Sequence, residues 1–358
     1  MLKTYKIQDI CVLEKGKQID TSLLDDNNPY QYINGGISAS GYYDKYNTKE
    51  NTIIVSEGGA SCGYVNFMTE KFWCGCHCYR LMEPKVKSEY LYYALKANQQ
   101  GIMRLRSGCA MPNIKKSSFY NMQIKLDDNQ DNQIKVTSIL KKVTTLILKR
   151  KEQLTKLDFL AKSRFIEMFG DPILNDKNWE TKKIADIAPV RNYNGVIENK
   201  VWLLNLDMVE SQSGEIIDYL YVEKSTLGSS ICSFDESNVL YSKLRPYLNK
   251  VVLPKYKGVA TSELLPLRPK KELDRFFLAH LLRSDSFVEY ISNKVAGSKM
   301  PRVSMVDFRN FDCILPPIEF QISYKKYIQQ LDKSKFRTKK SLEKLEMTYK
   351  ALLQEYFG

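Results

Sequence analysis

The sequence predicts an α+β fold with a pseudo-twofold internal repeat, in which a long antiparallel two-helix coiled coil separates two globular domains. Three observations support this class. Motifs recur after about half the chain, each half ends in a long heptad-patterned segment, and the remainder consists of short β-rich runs with a helical stretch in each half. The predicted boundaries are 1–130 for the first globular domain, 131–170 for the central helix, 171–316 for the second globular domain and 317–358 for the C-terminal helix.

The repeat appears at an offset of 189 residues in the globular halves and 188 residues in the segments that end them. The segments 154–170 and 342–358 share Leu, Leu, Lys, Glu, Phe and Gly at equal spacing. Such a period is far longer than a solenoid repeat, so it indicates a duplicated domain with a connecting element. Upstream, Gly108, Met111, Pro112, Phe119 and Asn121 recur as Gly297, Met300, Pro301, Phe308 and Asn310.

Apolar residues follow alternating spacings of four and three in both connecting segments, which is the pattern of a coiled coil. Turn-forming prolines and a glycine border the segments at 170–172 and 316–317. We predict that the two helices pair antiparallel within the chain; alternatively, each packs as an ordinary amphipathic helix on its own core. The residues predicted to pair are Leu140, Val143, Ile147, Leu154, Leu157, Ile328, Leu331, Leu342, Leu345 and Leu352.

The globular halves contain short β-rich runs, at 52–55, 201–204 and 251–253, separated by turn-forming glycines and asparagines. Helical stretches are predicted at 90–100 and 276–292. This mixture predicts an α+β organisation without fixing the order of the strands.

The chain carries 54 Lys and Arg against 41 Asp and Glu, a net charge of +13, and its pI is near 9.1. This balance favours an anionic partner such as nucleic acid. The two predicted helices hold nine of these net charges. Their basic faces are either solvated surfaces or surfaces that attract DNA or an acidic partner subunit.

No apolar segment follows the first residues, and no run approaches eighteen apolar residues, so we expect a cytoplasmic protein without a membrane partner. The eight cysteines are too sparse for a disulfide scaffold. Cys74, Cys76, His77 and Cys78 suggest zinc at first sight. On a strand, however, the three cysteines would share one face and His77 the other, so we expect no metal there.

Several motifs together resemble the target recognition domains of type I restriction-modification specificity subunits. In the first half these are 34–42 (NGGISASGY) and 54–65 (IVSEGGASCGYV). The second half is similar to a different class of the same domain through 239–247 (VLYSKLRPY) and 297–302 (GSKMPR). The resemblance covers essentially the whole chain, and the order domain, helix, domain, helix is more specific than any single motif.

The resemblance implies that this chain is the DNA sequence-recognition (specificity) subunit of a type I restriction-modification complex. Each globular domain would read one half of a bipartite site in double-stranded DNA, and the helices would set the spacing and dock two methyltransferase subunits. Restriction subunits would complete the complex. It also implies that the chain is not catalytic by itself and holds no cofactor, with S-adenosylmethionine, ATP and Mg²⁺ on partner subunits.

The candidate DNA contacts are basic and hydroxyl side chains in glycine-containing loops. Glycine lets backbone amides approach phosphates, and Arg and Lys reach guanine edges. In the first half, Cys109-Ala110 stands where the second has Ser298-Lys299, so the two loops differ. The candidates are Arg104, Arg106, Ser107, Lys115, Lys116, Ser242, Lys243, Arg245, Ser298, Lys299 and Arg302.

Two other functions stay open at this point. The chain could be a free-standing DNA methyltransferase or nuclease with an unrecognised active site, although the run Asn28-Pro29-Tyr30 lacks one proline of a methyltransferase signature and no glycine-rich cofactor loop accompanies it. It could also be an adaptor whose helices bind protein and whose globular domains bind no DNA.

Overall fold

The computed structural model describes residues 2–108, 112–296 and 300–358. The chain forms two compact units, which we call unit 1 (Met1–Glu152 with Lys339–Gly358) and unit 2 (Gln153–Thr338). Each unit combines a globular part with segments of two long helices.

The globular part of unit 1 mixes short strands with short helices. One antiparallel sheet has the strand order β2-β8-β5-β6, a second has the order β4-β3-β7, and β1 pairs with β9. All five residues of β5 are buried, which explains why its centre, 53–55, is a continuous apolar run between Thr52 and Ser56. The strands are β1 (Leu2–Lys6), β2 (Val12–Lys15), β3 (Tyr30–Ile33), β4 (Gly41–Tyr43), β5 (Thr52–Ser56), β6 (Val65–Met68), β7 (Phe72–Cys74), β8 (Cys78–Met82) and β9 (Gln123–Asp127). The helices are α1 (Ile7–Ile10), α2 (Ser88–Ala97), α3 (Gln99–Arg104) and α4 (Lys116–Tyr120), and they are followed by the long α5 (Gln130–Phe169), which belongs to unit 1 up to Glu152 and to unit 2 after it.

The globular part of unit 2 is also α+β. Its strands order as β12-β11-β16-β13 and as β15-β14-β17, with β10 paired to β20 and β18 to β19. The strands are β10 (Thr181–Lys183), β11 (Lys200–Leu204), β12 (Leu220–Glu223), β13 (Ile231–Phe234), β14 (Val239–Ser242), β15 (Val251–Val252), β16 (Gly258–Thr261), β17 (Leu264–Leu267), β18 (Val295–Ala296), β19 (Arg302–Val303) and β20 (Asp312–Ile314). The helices are α6 (Ile184–Ile187), α7 (Arg275–Arg283), α8 (Asp285–Ser292) and α9 (Met305–Arg309), and they are followed by the long α10 (Ile318–Phe357), which belongs to unit 2 up to Thr338 and to unit 1 after it.

The helices α5 and α10 have 40 residues each, or about 60 Å at 1.5 Å per residue. Within unit 1, Lys151 Nζ lies 3.2 Å from Glu346 Oε1. Within unit 2, Lys335 Nζ lies 2.5 Å from Asp158 Oδ1. The later residue of α5 contacts the earlier residue of α10, so the helices run antiparallel. The predicted class, α+β with an antiparallel two-helix coiled coil, is confirmed.

Every residue that we predicted for helix pairing is buried or half-buried in the structure. Leu140 is fully buried and shares a core with Leu353 and Phe357. Leu148 and Phe159 lie off the stripe and are exposed. The heptad stripe therefore marks the inner face of each helix, and the same face completes the core of the globular part beside it.

The C-terminal ends of the two long helices, which are equivalent in the sequence repeat, each pack on the core of one unit. In unit 2, Phe169 packs edge-on against Phe277 with ring centroids 4.7 Å apart. In unit 1, the repeat partner Phe357 contacts Tyr90 at 5.2 Å. At the opposite ends, Gln133 and Gln321 are both buried. Their Nε2 atoms donate to the backbone just before each helix, to the carbonyl oxygens of Asp127 and Pro316.

Candidate nucleic-acid interface

The first candidate surface forms where the chain leaves β5. The loop that follows lies beside the segment that precedes α4, and backbone hydrogen bonds join the two. The amide of Gly59 donates to the carbonyl oxygen of Pro112 at 3.1 Å, and the amide of Ile114 donates to that of Glu57 at 2.9 Å. We call this surface the first platform, residues 57–59 and 112–114.

The second candidate surface forms where the chain leaves β14. The amide of Arg245 donates to the carbonyl oxygen of Pro301 at 2.8 Å, and the amide of Val303 donates to that of Lys243 at 2.8 Å. We call this surface the second platform, residues 243–245 and 301–303. Each platform thus consists of a strand-end loop clamped to a distant segment of its own unit.

A buried carboxylate supports the first platform. The side chain of Glu57 accepts a 2.8 Å hydrogen bond from the hydroxyl of Tyr79 and lies 2.6 Å from Lys15 Nζ. Burial and this hydrogen bond raise the pKa of Tyr79. The thiol of Cys62 lies 3.0 Å from the carbonyl oxygen of Glu57 and donates to it. Glu57 is 5% exposed, so its side chain supports the loop from the interior of the unit.

An ion pair orients an arginine of the second platform. The guanidinium of Arg302 approaches Glu263 through Nη2 at 3.1 Å and through Nε at 3.4 Å. Arg302 is half-exposed and Glu263 is 24% exposed, so the pair faces solvent on the arginine side. Such a pair contributes little stability, but it restricts the direction in which the guanidinium points.

All five candidates of the first domain are exposed, and they flank or border the first platform. Ser107 exchanges two backbone hydrogen bonds with Asn113, both of 2.9 Å. Arg106 Nε donates to the carbonyl oxygen of Met103 at 2.7 Å. The remaining candidates, Arg104, Lys115 and Lys116, lie at the end of α3 and the start of α4.

The candidates of the second domain divide into three groups. Arg245 and Arg302 are exposed on the second platform, and Lys243 is half-buried there. Ser242 is 3% exposed, and its hydroxyl donates to the carbonyl oxygen of Leu244 at 2.9 Å, so it supports the loop from inside. Ser298 and Lys299 lie outside the described residues. That any of these residues touches DNA stays a prediction.

Among the candidate contacts, sequence reasoning missed Asn113 in the first platform and Glu263 in the second, and it named Gly59 only as part of the motif 54–65. They were missed because none is a cation and because the platform unites segments that are far apart in the chain. An available indication was the identity of Ser56 with Ser242 and of Val65 with Val251, at an offset of 186 that differs from that of the recognised repeat.

The interpretation of the cysteine cluster as one strand is wrong. Cys74 ends β7, Cys78 begins β8, and a turn containing Gly75 and His77 separates them. The amide of Gly35 donates to Cys78 Sγ at 3.0 Å. Hydrogen bonds from Cys74 and from this amide lower the pKa of Cys78. The hydrogen bond to Cys78, together with burial, raises the pKa of Cys74. Within the described ranges, no three His, Cys, Asp or Glu residues are grouped to hold a metal ion.

No helix among residues 2–108, 112–296 and 300–358 is long and apolar enough to cross a membrane.

Comparison with known families gives one match over most of the chain. The family described as type I restriction modification DNA specificity domain matches residues 2–156 and 176–347. Both halves of the chain are therefore covered by the same family model.

Relatives of known name give long but distant matches and short but closer ones. The specificity subunit of the type I restriction enzyme EcoDI from Escherichia coli is 22% identical over 365 residues, which cover 92% of this chain and 81% of the relative. A Mycoplasma genitalium sequence whose name includes the words type I specificity subunit is 36% identical over 137 residues. In that match the chain spans about a third of the relative's length, 36%.

Solved structures are similar over the full length. A crystal structure of the S subunit of a type I restriction-modification system from M. genitalium has a TM-score of 0.67 and 20% identity, covering 100% of this chain and 96% of that one. A structure from a study of type I complex assembly has a TM-score of 0.56 and 13% identity, covering 99% and 97%. At these identities, the likeness shows a shared fold.

Proposed function

Since the chain belongs to the type I restriction-modification DNA specificity family, we propose that it recognises DNA sequence for a type I restriction-modification complex. Each unit carries one platform and reads one half of a bipartite site in double-stranded DNA. The observation that carries the proposal is the match of the same DNA specificity domain to both halves of one chain. One chain with two such domains is suited to a site in two parts.

The paired helices have two tasks in this proposal. They hold the two reading surfaces at a fixed spacing, so that only half-sites at the right distance and rotation are engaged together. They also provide a docking surface for two methyltransferase subunits, and restriction subunits join the assembly. Their share of the net charge, nine of thirteen, attracts DNA or an acidic subunit.

The chain itself is proposed to bind and not to catalyse. S-adenosylmethionine would be held by the methyltransferase subunits, and ATP and Mg²⁺ by partner subunits. The proposed location of the complex is the cytoplasm, where such a complex meets its DNA. Within the complex, the residues of this chain bind DNA, orient it and set the register of the partner subunits.

Co-expression of the full chain with its own methyltransferase subunit tests the proposal. Mapping of methylated adenines in the host DNA is expected to give one motif with two specified halves and a gap of constant length. The purified chain alone, incubated with DNA, S-adenosylmethionine and Mg²⁺, is expected to leave the DNA unmethylated and uncut. Methyl transfer or cleavage by the chain alone would instead support a free-standing enzyme, and a motif without a second half would contradict two readers.

A further inference from the structure

The two platforms share a backbone frame that the sequence repeat did not reveal. Backbone hydrogen bonds around β5 have counterparts around β14, with residue numbers displaced by 186, or by 189 for the distant segment. Ser56 N to Tyr64 O (2.9 Å), Glu57 N to His77 O (2.8 Å) and Gly59 N to Pro112 O (3.1 Å) correspond to Ser242 N to Lys250 O (3.0 Å), Lys243 N to Glu263 O (3.0 Å) and Arg245 N to Pro301 O (2.8 Å).

Backbone torsions support the same correspondence. Gly59 has φ +78° and its counterpart Arg245 has φ 50°. Four residues later, Gly63 has φ +85° and its counterpart Asn249 has φ 51°. Left-handed backbone at both positions of both loops means that one loop conformation is built twice from different sequences. Residues at equal positions of the two platforms therefore occupy equivalent places on the same backbone frame.

The side chains at equal positions differ in charge. The second platform has Lys243, Arg245 and Arg302, whereas the first has Glu57, Gly59 and Asn113 at the corresponding places. The bridge between Leu244 and Arg302 has its counterpart in the bridge between Gly58 and Asn113, which aligns the last pair. One platform with three cations, and another on the same backbone with a buried carboxylate and no cation at these places, indicate two readers with different preferences.

Asn113, Arg245 and Arg302 are exposed members of the platforms that can form paired hydrogen bonds with a base, and of these only Asn113 and Arg302 occupy corresponding positions. The backbone of Asn113 is held by two hydrogen bonds to Ser107, and among the described residues its side-chain amide has no hydrogen-bond partner. Arg302 is held from one side by Glu263. A fixed backbone with a free amide, and a guanidinium held on one edge, are both suited to base readout.

We infer that Asn113 and Arg302 are corresponding base-reading residues, and that Asn113 reads an adenine in one half-site while Arg302 reads a guanine in the other. The side chains match these bases in the major groove, since Asn pairs with N6 and N7 of adenine and Arg with O6 and N7 of guanine. The inference rests on the proposed DNA recognition and adds which residue reads which base. Arg245, exposed on the other segment of the same platform, adds positive charge beside the guanine-reading position.

Methylation mapping of variants tests the inference. Arg302→Ala in the full chain, co-expressed with its methyltransferase subunit, is expected to lower the preference for one guanine by about 5- to 150-fold and to leave the other half-site unchanged. Asn113→Ala is expected to do the same for one adenine of the other half. The matched controls Arg309→Ala and Asn27→Ala change exposed residues outside the platforms and are expected to keep the wild-type motif.

Each result separates this inference from the proposed function. A wild-type complex without a two-part motif contradicts the proposed function. A wild-type motif that survives both Arg302→Ala and Asn113→Ala contradicts only the inference. The inference is also contradicted if a variant loses its preference at a base other than the one proposed, or if both variants lose their preference in the same half-site. If Arg302→Ala abolishes methylation, Arg302→Lys is the deciding variant, because lysine keeps the positive charge but cannot form the paired hydrogen bonds of a guanidinium. Restored methylation with a relaxed guanine supports the inference, and restored methylation with the wild-type motif, or none restored, overturns it.

Discussion

The hydroxyl of Tyr324 on α10 donates a hydrogen bond of 3.2 Å to the carbonyl oxygen of Ala161 on α5. Tyr324 is fully buried, and burial raises the pKa of its phenol, so the proton stays on the oxygen in the neutral range. The ring also meets Phe165 and Phe169 edge-on, at 5.6 and 5.4 Å. One residue thus ties the two long helices together within unit 2 by a polar and an aromatic contact.

Replacing the hydroxyl alone is expected to weaken the helix pair modestly. Tyr324→Phe keeps the ring and removes one buried hydrogen bond, so the free energy of unfolding should fall by about 1 kcal/mol. Urea denaturation of the full chain measures it. The control Tyr256→Phe changes a tyrosine that is 63% exposed, and it should alter this energy by less than about 0.5 kcal/mol. Equal losses in the two variants would contradict a role for the Tyr324 hydrogen bond.

Truncation at the inner face of α5 is expected to cost much more. Leu140 is fully buried beside Leu353 and Phe357, so Leu140→Ala leaves a cavity and should lower the free energy of unfolding by about 2–5 kcal/mol. Leu148→Ala, on the same helix at a residue that is 67% exposed, should change it by less than about 0.5 kcal/mol. The same denaturation curves compare the two, and a similar cost at both sites would contradict the assignment of the inner face.

The helices were predictable because their pattern is local. Spacings of four and three place Leu140, Ile147 and Leu154 on one face whatever the rest of the chain does. The strand order and the platforms depend on pairs of segments separated by tens of residues, such as Gly59 with Pro112. No periodicity within one segment encodes such a pair.

The candidate site was predicted in part for a similar reason. Charge and loop position selected Arg245 and Arg302 from sequence, because cations in predicted loops are visible as residue types. Asn113 was missed because its importance follows only from its position opposite Gly58, which corresponds to that of Arg302. The cysteine cluster was misread as one strand because strand alternation was applied across the turn at Gly75.

The stability of the fold is expected to fall below pH 6.5 because of His280. Burial and the nearby Arg283 lower its pKa from 6.5 to about 3, and its Nδ1 lies 2.8 Å from the carbonyl oxygen of Phe276. The unfolded chain therefore takes up a proton as the pH falls through 6.5, while the folded chain stays neutral at this residue until about pH 3. The free energy of unfolding should decrease by at most about 1.4 kcal/mol per pH unit from this group.

Denaturation between pH 7 and 5 measures this contribution as the difference between wild type and His280→Gln. The variant should lose less stability over that range than the wild type does. His77 is the other histidine of the chain and is exposed, so His77→Gln is the matched control for removal of a histidine. Parallel profiles for wild type and His280→Gln would show that His280 is protonated equally in the folded and unfolded states.

Arg245 is expected to weaken the fold while strengthening DNA binding. Left-handed backbone costs a residue with a side chain about 1–2 kcal/mol, and Arg245 has φ 50° where the first platform has a glycine. Arg245→Gly should therefore leave the free energy of unfolding unchanged or raise it by up to about 1 kcal/mol, since the flexibility of glycine in the unfolded chain offsets part of the gain.

In the complex with methyltransferase subunits, the same variant should bind a duplex carrying the site more weakly. The slope of log affinity against log salt should also be smaller by about one, because a cation near phosphate is lost. Lys271→Ala removes an exposed cation that is not part of the platform, and it should change neither the affinity for the duplex nor the salt slope. Unchanged affinity and salt slope in Arg245→Gly would mean that the strained arginine serves no contact with DNA.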